Sequence, residues 1–181
     1  MQLIATAIPE VLRLVPDPHR DERGFLAETF RAEWFPGVTF VQENHSLSST
    51  VHTLRGLHFQ TPPMAQAKLV RVVRGRALDV AVDVRRRSPT FGSHVALELD
   101  AVGRESLFVP AGFAHGFLTL EPDTEVLYKL TVYHSPRHEG GIRWDDPELG
   151  IRWGVDDPVI SPRDAALPGL DSWTSPFEHR T

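Results

Sequence analysis

Lys68-Leu69-Val70-Arg71-Val72-Val73-Arg74-Gly75-Arg76-Ala77-Leu78-Asp79-Val80-Ala81-Val82-Asp83-Val84-Arg85 carries the strongest fold signal in the chain. Two valine-rich runs, Lys68 to Val73 and Ala77 to Arg85, flank Arg74-Gly75, a pattern that predicts two strands joined as a short glycine hairpin. Side chains alternate along a strand, so Leu78, Val80, Val82 and Val84 share one face of the second run while Asp79, Ala81, Asp83 and Arg85 share the other. Two carboxylates on one strand face are costly unless something binds them.

The same texture extends in both directions. Met1 to Leu14 is aliphatic and runs into Pro16-Asp17-Pro18, which predicts strands ending in a loop. A polar turn over His19 to Gly24 precedes a predicted strand, Phe25 to Phe30, that carries Glu28. Ala32 to Phe35 fits one helical turn closed by Pro36-Gly37, and Thr39 to Ser46 reads as a further strand bearing Gln42, Glu43 and Asn44, with a loop from Ser46 to Thr53. Downstream, Ser88 to Gly92 is a turn, Val95, Leu97 and Leu99 alternate with polar residues, and Leu107 to Val109 returns to the sheet. Glycines around His115 suggest a tight corner before the strand resumes at Leu118, and Glu125 to Tyr133 is the last strong strand. Turn signals recur about every 8 to 12 residues and no long segment holds a helical period, which is the signature of an all-β sandwich or barrel. The fold expected is a double-sheet jelly-roll barrel, cupin-like, with short helical turns. From Asp145 onward the tail should be irregular chain, apart from a short helix started by Ser161 as N-cap and Pro162 at the first helical position.

A chain of 181 residues with 41% hydrophobic and 24% charged side chains has the size and composition of one globular domain, so residues 1–181 are expected to form a single unit. The net charge of −5 and the absence of a basic run longer than Arg85-Arg86-Arg87 argue against a nucleic-acid surface. No apolar run approaches the roughly 18 to 20 residues that span a bilayer, and no basic segment precedes an apolar one at the N-terminus. A cytoplasmic location without membrane attachment is the expectation. The chain contains no cysteine, which removes disulfides, thiolate catalysis and thiolate metal sites.

Chemistry concentrates just upstream of the valine-rich runs. Between Leu54 and Lys68 lie Arg55, His58, Gln60, Gln66 and Lys68, interrupted by Pro62-Pro63, so this segment reads as a strand end and loop at the rim of a sheet. A histidine that titrates near neutrality, beside two cations, suits acid–base chemistry on an anionic ligand. Pro110-x-Gly112-x-x-His115 matches the second cupin motif, but the first would need a His-x-His pair followed by glutamate. Here it is His58-Phe59-Gln60 with no such glutamate, a poor set for Fe, Mn or Zn, and no metal is expected.

The chain resembles the dTDP-4-dehydrorhamnose 3,5-epimerase family, metal-free cupin-like enzymes. The resemblance rests on nine ordered blocks: Asp21-Glu22-Arg23-Gly24-Phe25, Gln42-Glu43-Asn44-His45-Ser46, Leu54-Arg55-Gly56-Leu57-His58-Phe59-Gln60, Gln66-Ala67-Lys68-Leu69-Val70, Asp79-Val80-Ala81-Val82-Asp83, Ser88-Pro89-Thr90-Phe91-Gly92, Pro110-Ala111-Gly112-Phe113-Ala114-His115-Gly116-Phe117, Tyr128-Lys129 and Ser161-Pro162-Arg163-Asp164. It implies a dTDP-linked 4-keto-6-deoxyhexose substrate, no cofactor, and a homodimer in which each site borrows residues from the partner's N-terminal region. His58 matches the family's base, Tyr128 its acid and Lys68 the lysine that would hold the C4 oxyanion. Asp164 matches the aspartate paired with the base, although Ser161-x-x-Asp164 is also a capping pattern and Asp79 is a competing carboxylate. Arg23, Glu28, Gln42, Asn44, Arg55, Glu139 and Arg163 match nucleotide-sugar contacts, with Arg163 where lysine is common; His115 is expected to touch the substrate. Arg23 and Arg55 suit diphosphate oxygens, and Gln42 and Asn44 suit base or sugar edges. Epimerases acting only at C3 or only at C5 would share these motifs. A metal-dependent cupin enzyme and a non-catalytic sugar-binding jelly roll are the alternatives from other classes.

Overall fold

A computed structural model describes residues 1–179. In chain order its strands are β1 (Gln2–Ala5), β2 (Leu12–Val15), β3 (His19–Asp21), β4 (Gly24–Leu26), β5 (Gln42–Ser48), β6 (Thr53–Gln60), β7 (Lys68–Arg74), β8 (Arg76–Asp83), β9 (His94–Asp100), β10 (Ser106–Val109), β11 (Phe113–Thr119), β12 (Thr124–Leu130), β13 (Glu139–Gly141) and β14 (Val159–Ile160). A 3₁₀ turn at Ala32–Trp34 and the short helix α1 (Pro162–Ala165) are the helical elements among the described residues. One sheet runs β1-β2-β10-β7-β12-β5, the other β13-β6-β11-β8-β9 with β14 parallel beside β6, and β3 and β4 form a separate hairpin. The architecture is the expected all-β double-sheet jelly roll. Among the described residues no strand pairing joins the two sheets, so they face each other as an open sandwich rather than a closed barrel.

Three buried clusters hold the layers together. Val70 and Val72 of β7, Leu107 and Val109 of β10, and Val126 of β12 meet Ala81, Val95, Leu99, Phe113 and Phe117 across the space between the sheets. Leu78, Val80, Val82 and Val84 face the other way, with Leu54, Leu57 and Leu118, against Ile142, Leu149, Trp153, Leu170 and Phe177 of the C-terminal segment. The tail is therefore a third layer that covers the second sheet and not merely a wrapping of irregular chain. A third cluster, Leu14, Phe35, Leu69 and Phe108, closes the outer side of the first sheet under Phe30, Trp34 and Phe40.

Four further local expectations are corrected. Arg74-Gly75 does not close a hairpin: β7 is flanked by β10 and β12, and β8 by β11 and β9, so each strand already has two partners in its own sheet. Gly75, at φ 74°, carries the chain from one sheet to the other, and a side chain there would run into Thr124. His115 is not at a corner but within β11, while the corner lies at Gly112, whose φ is 90°. Gly56 and Gly116 instead allow close backbone approach of β6 and β11: a Cβ on Gly116 would sit 2.8 Å from the Arg55 carbonyl oxygen. The strand predicted from Phe25 to Phe30 stops at Leu26, because Phe30 turns in to stack edge-on with Phe40 at 5.4 Å, leaving Glu28 outside any strand. The strand predicted from Thr39 to Ser46 is β5, displaced toward Ser48 and shortening the loop before Thr53.

The carboxylates on the second valine-rich run do find partners. Asp83, fully buried, accepts from the Arg85 guanidinium at 2.7 Å and from the hydroxyls of Ser88 and Thr90. This ties the Ser88-to-Gly92 turn to the end of β8 as a structural corner. Asp79 pairs with His115 of β11. No helix of the described residues is long and apolar enough to cross a membrane.

Candidate active site

Between the inner faces of the two sheets lies a cavity of about 500 Å³, lined by residues that include Arg55, His58, Lys68, His115, Tyr128 and Arg163. Strand β6 lines it with Thr53, Leu54, Arg55 and His58, of which Arg55 and His58, three positions apart, would fall on opposite faces by simple alternation. A bulge resolves the conflict. His58 lies opposite His115 and Arg55 opposite Phe117, so β6 spends one residue more than β11 over the same span. Gly56, at φ 126°, absorbs that extra residue and brings Arg55 and His58 to the same side.

The bulge also fixes a carboxylate. Nε2 of His58 lies 2.7 Å from Asp164 Oδ1, and Asp164 Oδ2 accepts the Gly56 N–H at 3.1 Å. The backbone N–H of Asp164 donates to Ser161 Oγ at 3.1 Å, so the Ser161 cap and the His58 contact use different atoms of the same residue. Both roles foreseen for Asp164 coexist, and Asp79 is not the carboxylate beside His58. Burial pushes the Asp164 carboxyl up, but His58, the Gly56 N–H and Ser161 outweigh it and hold Asp164 below the usual carboxylate range. It is anionic at neutral pH and fixes the imidazole edge it contacts.

Lys68 and Tyr128 come from the opposite sheet. Lys68 opens β7 and is 8% exposed; its Nζ donates to the His58 carbonyl oxygen at 3.1 Å. Burial drives its pKa down to about 8, while the charges of Asp79 and Glu139 pull the other way. Tyr128 stands on β12 opposite Asn44 of β5 and Val70 of β7. His115 joins from β11, its Nε2 2.9 and 3.1 Å from the two oxygens of Asp79.

The remaining expected contacts divide by position. Arg55 is anchored to the end of β5, with Nε donating to Ser48 Oγ at 3.3 Å. Gln42 and Asn44 lie on the inward-facing set of β5 and bond each other at 2.8 Å, and the His134 N–H donates to Gln42 Oε1 at 2.9 Å. Arg163 lines the cavity and pairs at 2.6 Å with Glu139, which also meets His134 at 2.8 Å. Burial acts to raise the Glu139 carboxyl, but His134 and Arg163 hold it below the usual range. Arg23 and Glu28 are not brought to this cavity. Arg23 pairs with Asp21 on the exposed β3–β4 hairpin, and Glu28 stands near Arg31 at the surface. Ser46, Thr53, Phe117 and Ile160 line the cavity without having been singled out from the sequence. The alternation of β5 signals Ser46, and the two-residue spacings from His115 and Arg55 signal Phe117 and Thr53; Ile160 is brought in by the β6–β14 pairing, which has no local signal.

Arg55, Lys68 and Arg163 line the cavity around the histidine pair as donor-only cations, the kind of group that suits an anionic ligand. Among the described residues no three histidine, aspartate or glutamate side chains gather as a potential metal site. Residues 5–172 match the family model described as dTDP-4-dehydrorhamnose 3,5-epimerase. The chain belongs to that family. It is 50% identical over 177 residues to the dTDP-4-dehydrorhamnose 3,5-epimerase of Salmonella typhimurium, covering 94% of this chain and 96% of the relative. Among solved members of the epimerase family, the dTDP-6-deoxy-D-glucose-3,5-epimerase from Legionella pneumophila in complex with dTDP-4-keto-L-rhamnose superposes with a TM-score of 0.93. It is 38% identical, with 99% of each chain covered. A 3'-monoepimerase from Streptomyces bikiniensis, solved in complex with dTDP-quinovose, has a TM-score of 0.87 at 36% identity, covering 92% of this chain and 87% of that one.

Proposed function

We propose that the chain inverts C3 and C5 of dTDP-4-dehydro-6-deoxy-D-glucose to give dTDP-4-dehydro-L-rhamnose, without a cofactor. The observation that carries this reading is the placement of His58 and Tyr128 on opposite sheets around one cavity, with Lys68 between strand ends. The C4 ketone acidifies the protons on C3 and C5. His58, oriented by Asp164, removes one of them; the electron pair moves onto the C4 oxygen, where the Lys68 ammonium stabilises the enolate. The Tyr128 phenol then returns a proton to the same carbon from the other face; His58 releases the proton it took to water, Tyr128 regains one from water, and the steps repeat at the second carbon. The ketone is the electron sink, so the electrons balance without a redox partner, and water is the only proton source and acceptor needed.

Arg55 and Arg163 supply charge for the diphosphate, and Gln42 and Asn44 supply amide groups for the polar edges of the ligand. Incubating the 4-keto sugar nucleotide with the protein in D₂O and locating deuterium by NMR tests the proposal. Label at both C3 and C5 with inversion at both is expected. Label and inversion confined to one carbon would make the chain a monoepimerase, the reading that the Streptomyces bikiniensis relative keeps in play.

Lys68 must be charged to hold the oxyanion. With its pKa near 8, the protonated fraction is full below that pH and falls as pH rises through it. The expected kcat/KM, which reports the free enzyme, therefore declines above about pH 8, approaching ten-fold per unit. A profile that stays flat to about pH 10 would remove Lys68 from this role.

Arg23 and Glu28 belong to the proposed ligand contacts although they lie outside this cavity. The β3–β4 hairpin that bears Arg23 is exposed along its length, with Leu26 74% exposed. A homodimer in which the hairpin and Glu28 of one copy reach the cavity of the other reconciles these positions. Sedimentation equilibrium is expected to give twice the chain mass; a monomer at catalytic concentrations would remove both residues from the site.

A further inference from the structure

Within the segment from Leu54 to Lys68 the proposed reaction uses Arg55, His58 and Lys68 and leaves Gln60 and Gln66 without a role. Gln60, at the end of β6, is 3% exposed, and an amide buried so deeply is costly unless its polar atoms are bonded. Most of that bonding is to one loop. Gln60 Nε2 donates to the carbonyl oxygens of Met64 at 2.9 Å and Tyr133 at 3.3 Å, and Oε1 accepts the Ser135 N–H at 2.6 Å. Turning the amide over would set its oxygen against two carbonyls, so its orientation is fixed. Gln66 Nε2 donates to the Val132 carbonyl oxygen at 2.9 Å, and Gln42 Oε1 accepts the His134 N–H at 2.9 Å. Strand β12 ends at Leu130, and from Val132 to Ser135 glutamine side chains take the place that a neighbouring strand would fill.

The loop so held buries little. Tyr133 is 64% exposed, and His134, Pro136 and Arg137 are exposed as well. A surface loop of this kind can give its backbone to water, so packing does not account for the clamp. What the loop carries does. Nε2 of His134 lies 2.8 Å from Glu139 Oε1, while Arg163 Nη2 donates to Glu139 Oε2 at 2.6 Å, and Arg163 lines the cavity. With each carboxylate oxygen taken, Glu139 is held in one orientation and Arg163 with it. We infer that Gln60 is a positioning residue: by fixing the backbone at Tyr133 and Ser135 it presents His134 to Glu139, and so keeps Arg163 set for the diphosphate of the ligand. This assignment rests on the reading of the ligand as a sugar nucleotide and adds to it a support that touches neither the ligand nor the reacting groups.

Calorimetry with dTDP on the full chain, beside steady-state kinetics, tests the clamp. Gln60→Met keeps the length of the side chain and removes the amide. It is expected to raise the Kd for dTDP and the KM for the 4-keto sugar nucleotide about ten-fold, the scale of one lost hydrogen bond. Because His58, Lys68 and Asp164 are held by bonds to one another and to Gly56, kcat should stay within about two-fold of the parent. His134→Ala should raise the Kd for dTDP by a similar factor, and adding Gln60→Met to it should change the Kd no further, since the clamp acts through His134. Parental dTDP affinity in Gln60→Met overturns the inference, even with a lowered unfolding temperature, which is all that a merely structural glutamine would show. A fall in kcat at parental KM, or effects of the two substitutions that multiply, overturns it too. Should Gln60→Met fail to fold, Gln66→Met, which frees only the Val132 carbonyl, decides: a raised Kd that disappears when His134 is alanine supports the clamp, and a parental Kd refutes it. A parent that binds dTDP and loses affinity on Gln60→Met, yet does not turn over the 4-keto sugar nucleotide, would count against the functional reading alone.

Discussion

His58→Asn is expected to lower turnover by about 10² to 10⁴ and to stop solvent deuterium from entering the substrate at either carbon, since neither event begins without the enolate. Asparagine approximates the shape of the imidazole and can still donate to Asp164, so the loss should be chemical rather than structural. The bulge at Gly56 is set by backbone contacts with Gly116 and the Asp164 carboxylate, none of which needs the imidazole. Thermal unfolding of the variant should therefore stay close to that of the parent. Residual exchange at the parental rate would move the base elsewhere in the cavity, with His115 the next group to test.

Lys68→Met should cost about 10² to 10³ in kcat/KM, the scale on which a single preorganised oxyanion donor acts in a site shielded from water. The lysine is placed for this by its donation to the His58 carbonyl oxygen, which fixes the ammonium beside the base, and by the pull of Asp79 and Glu139, which offsets part of its desolvation. Methionine fills similar volume without charge. The variant should also lose the decline in kcat/KM above about pH 8, because the group that titrates there is gone. A basic limb that persists unchanged in Lys68→Met assigns it to another residue, and an activity near that of the parent removes the ammonium from enolate stabilisation.

Legibility in the sequence followed the range of the interactions. The strands and their alternation were readable because they depend on neighbouring residues, and Ser161 and Pro162 announced α1 for the same reason. Gly75 was misleading: a glycine between two valine-rich runs looks the same whether the strands pair or part, and only the partners β10, β12, β9 and β11 distinguish the cases. His115 was misplaced at a corner because its flanking glycines signal turns locally, whereas here Gly116 answers to the β6 backbone. In the cavity, the resemblance paired Asp164 with His58 and left Asp79 as a rival, whereas the pairing of His115 with Asp79 had no signal in the sequence. The pairings His58 with Asp164 and His115 with Asp79 bridge 106 and 36 positions in sequence, beyond any local pattern.

In the proposed reaction a base on one sheet and an acid on the other act on opposite faces of the same ring. Tyr128→Phe in D₂O tests it most directly, followed by NMR of label position and product configuration. With Tyr128 removed, His58 can still form the enolate and return a solvent-derived proton from its own side. Deuterium is expected to enter the substrate at C3 or C5 without inversion, while epimerised product forms far more slowly than with the parent. Epimerisation at the parental rate, or a loss of exchange as complete as in His58→Asn, would contradict it.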